Sequence, residues 1–198
     1  MTALSDATML SELPSDAFRP LRRAEFQALV DTGTFDGTHV ELVGGVLVEM
    51  GPQGEQHSET IRRLTKLLVH AVGDDYDIGV QTPLAVDDIT LPEPDLQVLP
   101  AGPYWTEHPD RALLVIEVSR SSLRFDLGVK ARRYAAADYT EYWVVDLDDQ
   151  QIHVHTGPSA DGWSRVDVIT DGVLASSAVP SIRVPLARLF AERPTSTA

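Results

Sequence analysis

Residues 112–118 constrain the fold of this chain more than any other segment. Six of the seven are apolar, and the exception, Glu117, is followed by one more valine. A strand that carries apolar side chains on both faces is typical of the centre of a sheet, because neither face then meets water. Helical and strand-like patterns are interspersed along the rest of the chain, so the sequence predicts an α/β fold around this strand.

The other elements are predicted from apolar spacing and from turn residues. Helices are expected over residues 21–30, 56–72 and 126–137, with a last helical turn at 186–190. Strands are expected over residues 40–43, 46–49, 76–86, 96–99, 142–146, 152–155 and 166–170, with a short strand after Pro180. Gly44-Gly45 predicts a tight hairpin, and further turns are expected at 148–149, 157–158 and 171–172. Together these elements predict a mixed β-sheet flanked by helices.

The length of 198 residues suits one domain with a sizeable core. We expect that domain over residues 19–192, between a flexible N-terminal lead-in at 1–18 and a frayed C-terminus at 193–198. The chain has no cysteine, which excludes a disulfide framework and a thiolate zinc site. Its N-terminal residues lack the basic and apolar regions of a signal peptide, and no apolar run approaches the roughly 20 residues of a membrane span. A cytoplasmic protein without membrane contact is therefore expected.

The charge of the chain is uneven. The net charge of −14 argues against indiscriminate affinity for nucleic acid, which depends on lysine and arginine. Residues 111–133, however, contain six cations and only two anions. This basic stretch surrounds Glu117, so it could guide a phosphate toward that residue while acidic residues elsewhere repel unspecific contacts.

Two acidic residues, Asp95 and Glu117, are predicted to converge. Burying a carboxylate at the end of an apolar strand costs several kcal/mol unless cations or hydrogen bonds compensate. If the strand that Asp95 begins lies beside the strand of Glu117, two charges about 4 Å apart repel by roughly 4 kcal/mol. A divalent cation would remove that repulsion, and hard oxygen ligands suit Mg²⁺ or Mn²⁺. The alternatives are a salt bridge from Glu117 to an arginine and a turn-forming role for Asp95.

Lys130 is the second notable feature, because only it and Lys66 are lysines among sixteen cationic residues. An ammonium is a compact point charge that can sit between a water and a phosphate oxygen, which a planar guanidinium cannot do. Lys130 falls near the start of a predicted helix, at a partly exposed position, with Asp126 and Tyr134 on the same face. A plain surface pair with Asp126 is the alternative.

Several segments together resemble one nuclease family. They are residues 41–45, His57, residues 93–96, residues 117–122, Asp126 with Lys130 and Tyr134, and residues 141–146. In order and spacing they are similar to the Uma-two restriction-endonuclease family of the PD-(D/E)XK superfamily, from about residue 26 to 152. The resemblance implies a restriction-endonuclease-like fold and a metal-dependent nuclease site.

In that superfamily an aspartate precedes an acid-x-lysine motif on the next strand. Here Ser119 stands where the lysine is expected, and Lys130 of the following helix is the candidate that replaces it. The resemblance implies Asp95 and Glu117 as metal ligands and Lys130 as the group that orients the attacking water. Further candidates are Glu41 as an additional acid, the Val118 carbonyl as a ligand, and His57 as a hydrogen-bonding neighbour of a ligand carboxylate.

Four arginines are candidates for contacts with nucleic-acid phosphates: Arg120, Arg124, Arg132 and Arg133. The last two could equally well only cover the outer face of their helix. His153 and His155 alternate on a strand without an evident third ligand, so they are expected at the surface. Tyr142 and Trp143 are expected in the core.

The sequence thus favours a metal-dependent endonuclease that hydrolyses DNA, with RNA not excluded. The alternatives are a catalytically weak binding or regulatory module on the same fold and a hydrolase of RNA or a small phosphodiester. A homodimer with two sites is also expected, since double-strand cleavage needs two sites or two encounters. The apolar residues of the Gly44-Gly45 hairpin are one candidate interface, unless a helix of the same subunit covers them.

Overall fold

The computed structural model describes residues 19–191. Within that range it contains five α-helices: α1 (Arg23–Asp31), α2 (Glu55–Val72), α3 (Leu123–Phe125), α4 (Ala131–Ala136) and α5 (Leu186–Leu189). A π-helical segment, Asp126–Lys130, joins α3 to α4. The N-terminal lead-in and the frayed C-terminus expected from the sequence lie outside the described residues.

The strands form one large sheet and two hairpins. Their bounds are β1 (Val40–Val43), β2 (Val46–Glu49), β3 (Tyr76–Val80), β4 (Leu96–Pro100), β5 (Leu114–Ser119), β6 (Glu141–Asp146), β7 (Gln151–Ser159), β8 (Gly162–Ile169), β9 (Val173–Ala175) and β10 (Arg183–Pro185). The large sheet has the order β3-β4-β5-β6-β7-β8, while β1 pairs with β2 and β9 with β10. All pairs are antiparallel except β5 with β6, so the sheet is mixed.

The apolar run forms β5, which is buried along its whole length near the middle of this sheet. On one face, Leu64 and Leu68 of α2 belong to the same buried cluster as Ile116 and Trp143. On the other face, Tyr134 of α4 belongs to a cluster with Val115 and Tyr142. Helices therefore cover both faces, and the predicted α/β fold with a mixed sheet is confirmed.

The hairpin at Gly44-Gly45 also forms as predicted. Both glycines have positive φ, 62° and 80°, which the tight turn between Val43 and Val46 requires. On β1, Leu42 and Val43 are buried, whereas Val46 and Leu47 on β2 are exposed. The second strand of the hairpin thus keeps apolar side chains at the surface.

The helix predicted over 126–137 is longer and less regular than expected. It begins at Leu123 and contains the π-helical segment, in which the Ala131 N–H donates to the carbonyl of Asp126. The Tyr142 hydroxyl donates to that same carbonyl, at 3.1 Å. Such segments hold one extra residue per turn and are frequent at functional sites. Apolar periodicity does not reveal them.

Several elements differ from prediction. The strand expected over 76–86 ends at Val80, because Gln81 has a positive φ of 50°. The turn expected at 157–158 is wrong, since the β7–β8 ladder continues through Pro158 opposite Trp163. The chain reverses after Ser159 instead. Strand β9 was not predicted.

His155 is another correction, because it is only 4% exposed rather than a surface residue. Its ring packs against Tyr142 with centroids 5.3 Å apart. Burial lowers the pKa of His155. Tyr142 and Trp143 lie in the core, as expected. None of the helices that the structure describes combines the length and the apolar character needed to cross a bilayer.

Candidate active site

Asp95 and Glu117 meet at one edge of the sheet, as predicted. Strands β4 and β5 are antiparallel with Leu96 opposite Ile116, so the next residues outward, Asp95 and Glu117, face each other. Both are buried. The Val118 N–H donates to Asp95 Oδ2 at 2.8 Å, which fixes this carboxylate beside the end of β5.

Lys130 reaches the same point from the π-helical segment. Its Nζ lies 2.9 Å from Glu117 Oε1, 3.0 Å from Glu41 Oε2 and 3.9 Å from Asp126 Oδ1. Lys130 is only 2% exposed, so the expectation of a partly exposed helix position is wrong. The plain surface pair with Asp126 is excluded as well, since both residues are buried. Packing of this helix against the sheet turns the lysine inward.

Glu41 comes from β1 of the hairpin and is also buried. Its Oε1 accepts hydrogen bonds from the Glu93 N–H at 3.2 Å and from Lys130 Nζ at 3.3 Å. Its Oε2 lies within ion-pair distance of Lys130 but has no hydrogen-bond partner among the described residues. One oxygen of Glu41 is therefore held by charge attraction alone.

One ammonium faces several carboxylates here. Burial raises the pKa of Glu117 well above its ordinary value, and Lys130 only partly opposes this effect. Burial likewise raises the pKa of Asp126. For Lys130, burial disfavours the ammonium, but the surrounding carboxylates outweigh burial and raise its pKa. The raised pKa of Lys130 keeps its ammonium charged. The raised pKa values of Glu117 and Asp126 show that one ammonium does not compensate the burial of every acid around it.

Two side chains support this cluster although the sequence assigned them no role. The Tyr134 hydroxyl donates to Glu117 Oε1 at 3.1 Å. Asp126 accepts a hydrogen bond of 2.7 Å from Ser119 Oγ, the residue at the expected lysine position. The spacing of Asp126, Lys130 and Tyr134 at four-residue intervals was the signal that could have identified both.

His57 lies in the first turn of α2 and points at the same edge. Its Nε2 is 3.1 Å from Asp95 Oδ2, so the structure contains the hydrogen bond to a candidate ligand that was expected. Its Nδ1 is buried without a hydrogen-bond partner in residues 19–191. The ring therefore contacts the same Asp95 oxygen that accepts from the Val118 N–H.

A cavity of about 600 Å³ opens over these residues. Its walls include the loop at residues 50–54, the start of α2, and Arg120. Arg120 is largely exposed and pairs with Asp148 at 3.0 Å. The other three candidate arginines, Arg124, Arg132 and Arg133, do not line this cavity. Of the four arginines, one is therefore in place to meet a ligand there.

The donor set fits a hard cation that retains water. In the described part of the chain, no group of three or more His, Cys, Asp or Glu side chains is arranged to hold a metal. Mg²⁺ commonly binds through only one or two carboxylates and keeps several waters. Both side-chain hydrogen bonds to Glu117 end on Oε1, and Asp95 Oδ1 receives only a long contact of 3.4 Å from Gln81. Each carboxylate thus keeps an oxygen for a ligand.

A protein-family model matches most of this chain. The family model of Uma2, described as "Putative restriction endonuclease", matches residues 23–187. The chain belongs to the Uma2 family. A search of curated proteins gives no match. The fold of this Uma2 protein resembles a crystal structure described as a "putative nuclease belonging to DUF820" from Anabaena variabilis. That likeness has a TM-score of 0.69 at 16% identity, and it covers 87% of this chain and 98% of the other. It supports the restriction-endonuclease-like fold.

Proposed function

We propose that this protein is a metal-dependent endonuclease that hydrolyses phosphodiester bonds of DNA. The observation that carries the proposal is the convergence of Asp95, Glu117 and Lys130 at one sheet edge, beneath an open cavity. A structural ion pair needs no access for a ligand. Crowded carboxylates around one ammonium, open to a cavity, favour chemistry on a charged substrate instead.

The residues that would hold Mg²⁺ or Mn²⁺ are Asp95, Glu117 and the Val118 carbonyl. The bound ion would lower the pKa of a coordinated water and offset charge on the phosphate. His57 and the Val118 N–H hold Asp95 in place, and Tyr134 holds Glu117. The chain itself therefore keeps both carboxylates oriented before any ligand arrives, which lowers the cost of reorganisation.

Lys130 acts as a charged donor rather than as a base. The carboxylates around it raise its pKa, so it holds its proton throughout the neutral range. An ammonium in this position orients an attacking water by donating a hydrogen bond and stabilises negative charge on the phosphoryl group. Glu41 and Glu117 together hold the ammonium in place.

Arg120 is the candidate for the first phosphate contact. It lies at the cavity wall and is largely exposed, so it can exchange Asp148 for a phosphate at small cost. With a net charge of −14, the protein has little general attraction for nucleic acid. The strong negative charge is the observation that favours the second candidate, a catalytically weak binding module on the same fold.

The deciding experiment measures cleavage of supercoiled plasmid and of RNA with Mg²⁺, with Mn²⁺ and with a chelator. We expect metal-dependent nicking of plasmid that Glu117→Ala abolishes. RNA cleavage at the same rate would reassign the substrate. Binding without cleavage in either metal would select the binding module instead.

A separate measurement tests the ligand set. Calorimetric titration of Mg²⁺ or Mn²⁺ should show weaker binding to Asp95→Asn and to Glu117→Gln than to the unmodified protein. Unchanged affinity in both variants would contradict a site shared by the two carboxylates. Arg124→Ala serves as a control, since Arg124 does not line the cavity.

A further inference from the structure

Strand β8 ends the large sheet, and among the described residues no strand pairs with its outer edge. It is eight residues long, and its Val166 and Val168 are 49% and 50% exposed. An exposed edge strand of this length is a template for pairing with another chain. Charges on an edge oppose such pairing unless they are matched, and β8 carries Arg165 and Asp167.

The two valines extend a core face of the sheet. Across the strands, Tyr142 pairs with His155 and His155 with Val166, so Val166 lies on the face that carries Tyr142. Val168 follows Val144 and His153 in the same way. Tyr142 and Val144 are fully buried, whereas the valines at the end of these rows remain half exposed. The apolar face therefore continues to the edge, where α4 and Trp163 cover it only in part and leave both valines half exposed.

Charges on the opposite face of β8 favour one register for pairing between two copies. Arg165 and Asp167 flank Val166 and form an ion pair with each other at the surface. When two copies of β8 pair antiparallel about a two-fold axis at Val166, Arg165 of each copy faces Asp167 of the other. Axes at Arg165 or Asp167 would instead place like charges opposite each other, which is unfavourable.

We propose that two copies of this chain associate through β8, with Val166 on the two-fold axis. The pairing joins two six-stranded sheets into one and covers the half-exposed valines. Val168 then faces Ser164 of the second copy. The hairpin edge is a weaker candidate, since β2 has four residues and offers no cation to pair with Glu49.

This arrangement has a consequence that rests on the proposed nuclease function. A two-fold axis at an antiparallel strand pair is perpendicular to the sheet, so the site edges of the two copies point in opposite directions. With strands about 4.8 Å apart, the two β5 strands lie roughly 30–35 Å from each other. The dimer would therefore nick each strand of a duplex in separate encounters rather than cut both strands together.

Charge reversal tests the interface in the full-length chain. Arg165→Asp alone, and Asp167→Arg alone, place two like-charged pairs across the axis and should weaken dimerisation on the order of tenfold. The double variant Arg165→Asp/Asp167→Arg restores opposite charges and should restore the dimer. Sedimentation over a concentration series measures all four proteins, and Val46→Lys on the hairpin is the control that should not change association.

Single cysteines test the register, because the chain has no cysteine of its own. A cysteine at Val166 faces itself across the axis, within the reach of a disulfide under mild oxidation. A cysteine at position 168 would face Ser164 of the second copy and not another cysteine, although Val168 is as exposed as Val166. Val166→Cys should therefore give a covalent dimer and Val168→Cys should not.

The competing outcomes are distinct. A mass of 21.7 kDa at every concentration overturns the proposed dimer. So does a dimer that Val46→Lys disrupts, because the hairpin would then be the interface. A dimer that the double variant fails to restore, or that links equally well through both cysteines, also overturns it. None of these outcomes bears on whether the protein cleaves DNA, which the plasmid experiment decides separately.

Discussion

Two buried glutamates on neighbouring strands are treated very differently by this protein. Glu117 lies near the end of β5 among three other acids, with Lys130 as its cation. Glu141 begins β6 at the opposite end of the sheet. Its Oε1 accepts from Trp143 at 2.7 Å, and its Oε2 accepts four hydrogen bonds of 2.7–3.0 Å from the segment 176–178.

The difference separates a structural carboxylate from the carboxylate that we propose as a metal ligand. Neutral donors surround Glu141 on both oxygens, so it ties residues 176–178 to the sheet and is closed to further ligands. Glu117 is held on one oxygen only and lies under a cavity. Burial alone does not identify an active-site acid. What identifies it is burial with unmet capacity for a ligand.

The largest effect is expected at Lys130. Lys130→Met should lower cleavage by at least about 100-fold, because it removes a charged donor from the site. It should also destabilise the fold by roughly 3 kcal/mol, since buried carboxylates lose their cation. Lys130→Arg should lose activity too, because the planar fork does not fit the place of an ammonium. Plasmid nicking and denaturant unfolding measure these effects.

The matched control is Lys66→Met, which replaces the other lysine of the chain at an exposed position of α2. It should change neither activity nor stability by a measurable amount. Equal effects of the two lysine substitutions would refute the assignment of Lys130.

The same isosteric change at the two glutamates tests the comparison directly. Glu117→Gln should abolish cleavage while preserving or raising stability in metal-free buffer, because it relieves repulsion among crowded acids. Glu141→Gln should keep cleavage and lower stability by about 2–3 kcal/mol, since an amide group would face donors. If both variants lose stability alike, the distinction between the two sites is wrong.

The pH dependence of stability follows from the raised pKa values of Glu117 and Asp126. A raised pKa means that the folded protein binds protons more tightly than the unfolded chain, so stability is gained as the pH falls toward the ordinary value of about 4.5 for Glu117. This stability is lost as the pH rises through the pKa that each of these acids has in the folded protein. Lys130 adds no slope near neutrality, because its pKa is raised further from that range.

In metal-free buffer, the stability difference between wild type and Glu117→Gln should therefore grow as the pH rises from about 5 to 8. Thermal unfolding across that range measures the difference. A difference that does not vary with pH would show that Glu117 ionises as an ordinary carboxylate. Saturating Mg²⁺ should reduce the slope, since the ion favours the ionised form.

The smallest effects are expected at two buried or part-buried serines that donate to acids at opposite ends of the sheet. Ser119→Ala removes the hydrogen bond to Asp126, and Ser177→Ala removes one to Glu141. Each should cost about 1 kcal/mol. Only Ser119→Ala should also lower the rate of cleavage, because Asp126 contacts Lys130. Equal rates for both variants would limit Asp126 to a structural role.

Much of this protein could be predicted from its sequence by local pattern. The apolar run 112–118 determined β5 and the α/β fold, and Gly44-Gly45 determined the hairpin. The order and spacing of several motifs predicted the family, which the family model confirms. The convergence of Asp95 and Glu117 was predicted only if their strands were neighbours, and the pairing of β4 with β5 meets that condition. These features are local because strand burial, turn geometry and motif spacing are encoded within a few residues.

Other features were decided only by the tertiary structure. Lys130 is buried because its helix packs against the sheet, which brings the ammonium to Glu41 and Glu117 of two distant strands, beside Asp126 of its own segment. The distinction between Glu117 and Glu141 depends on which donors arrive from distant segments. The order of residues determines which side chains can carry charge. Long-range packing sets their desolvation and their pairing, and these two effects decide which carboxylate is closed and which remains open to a ligand.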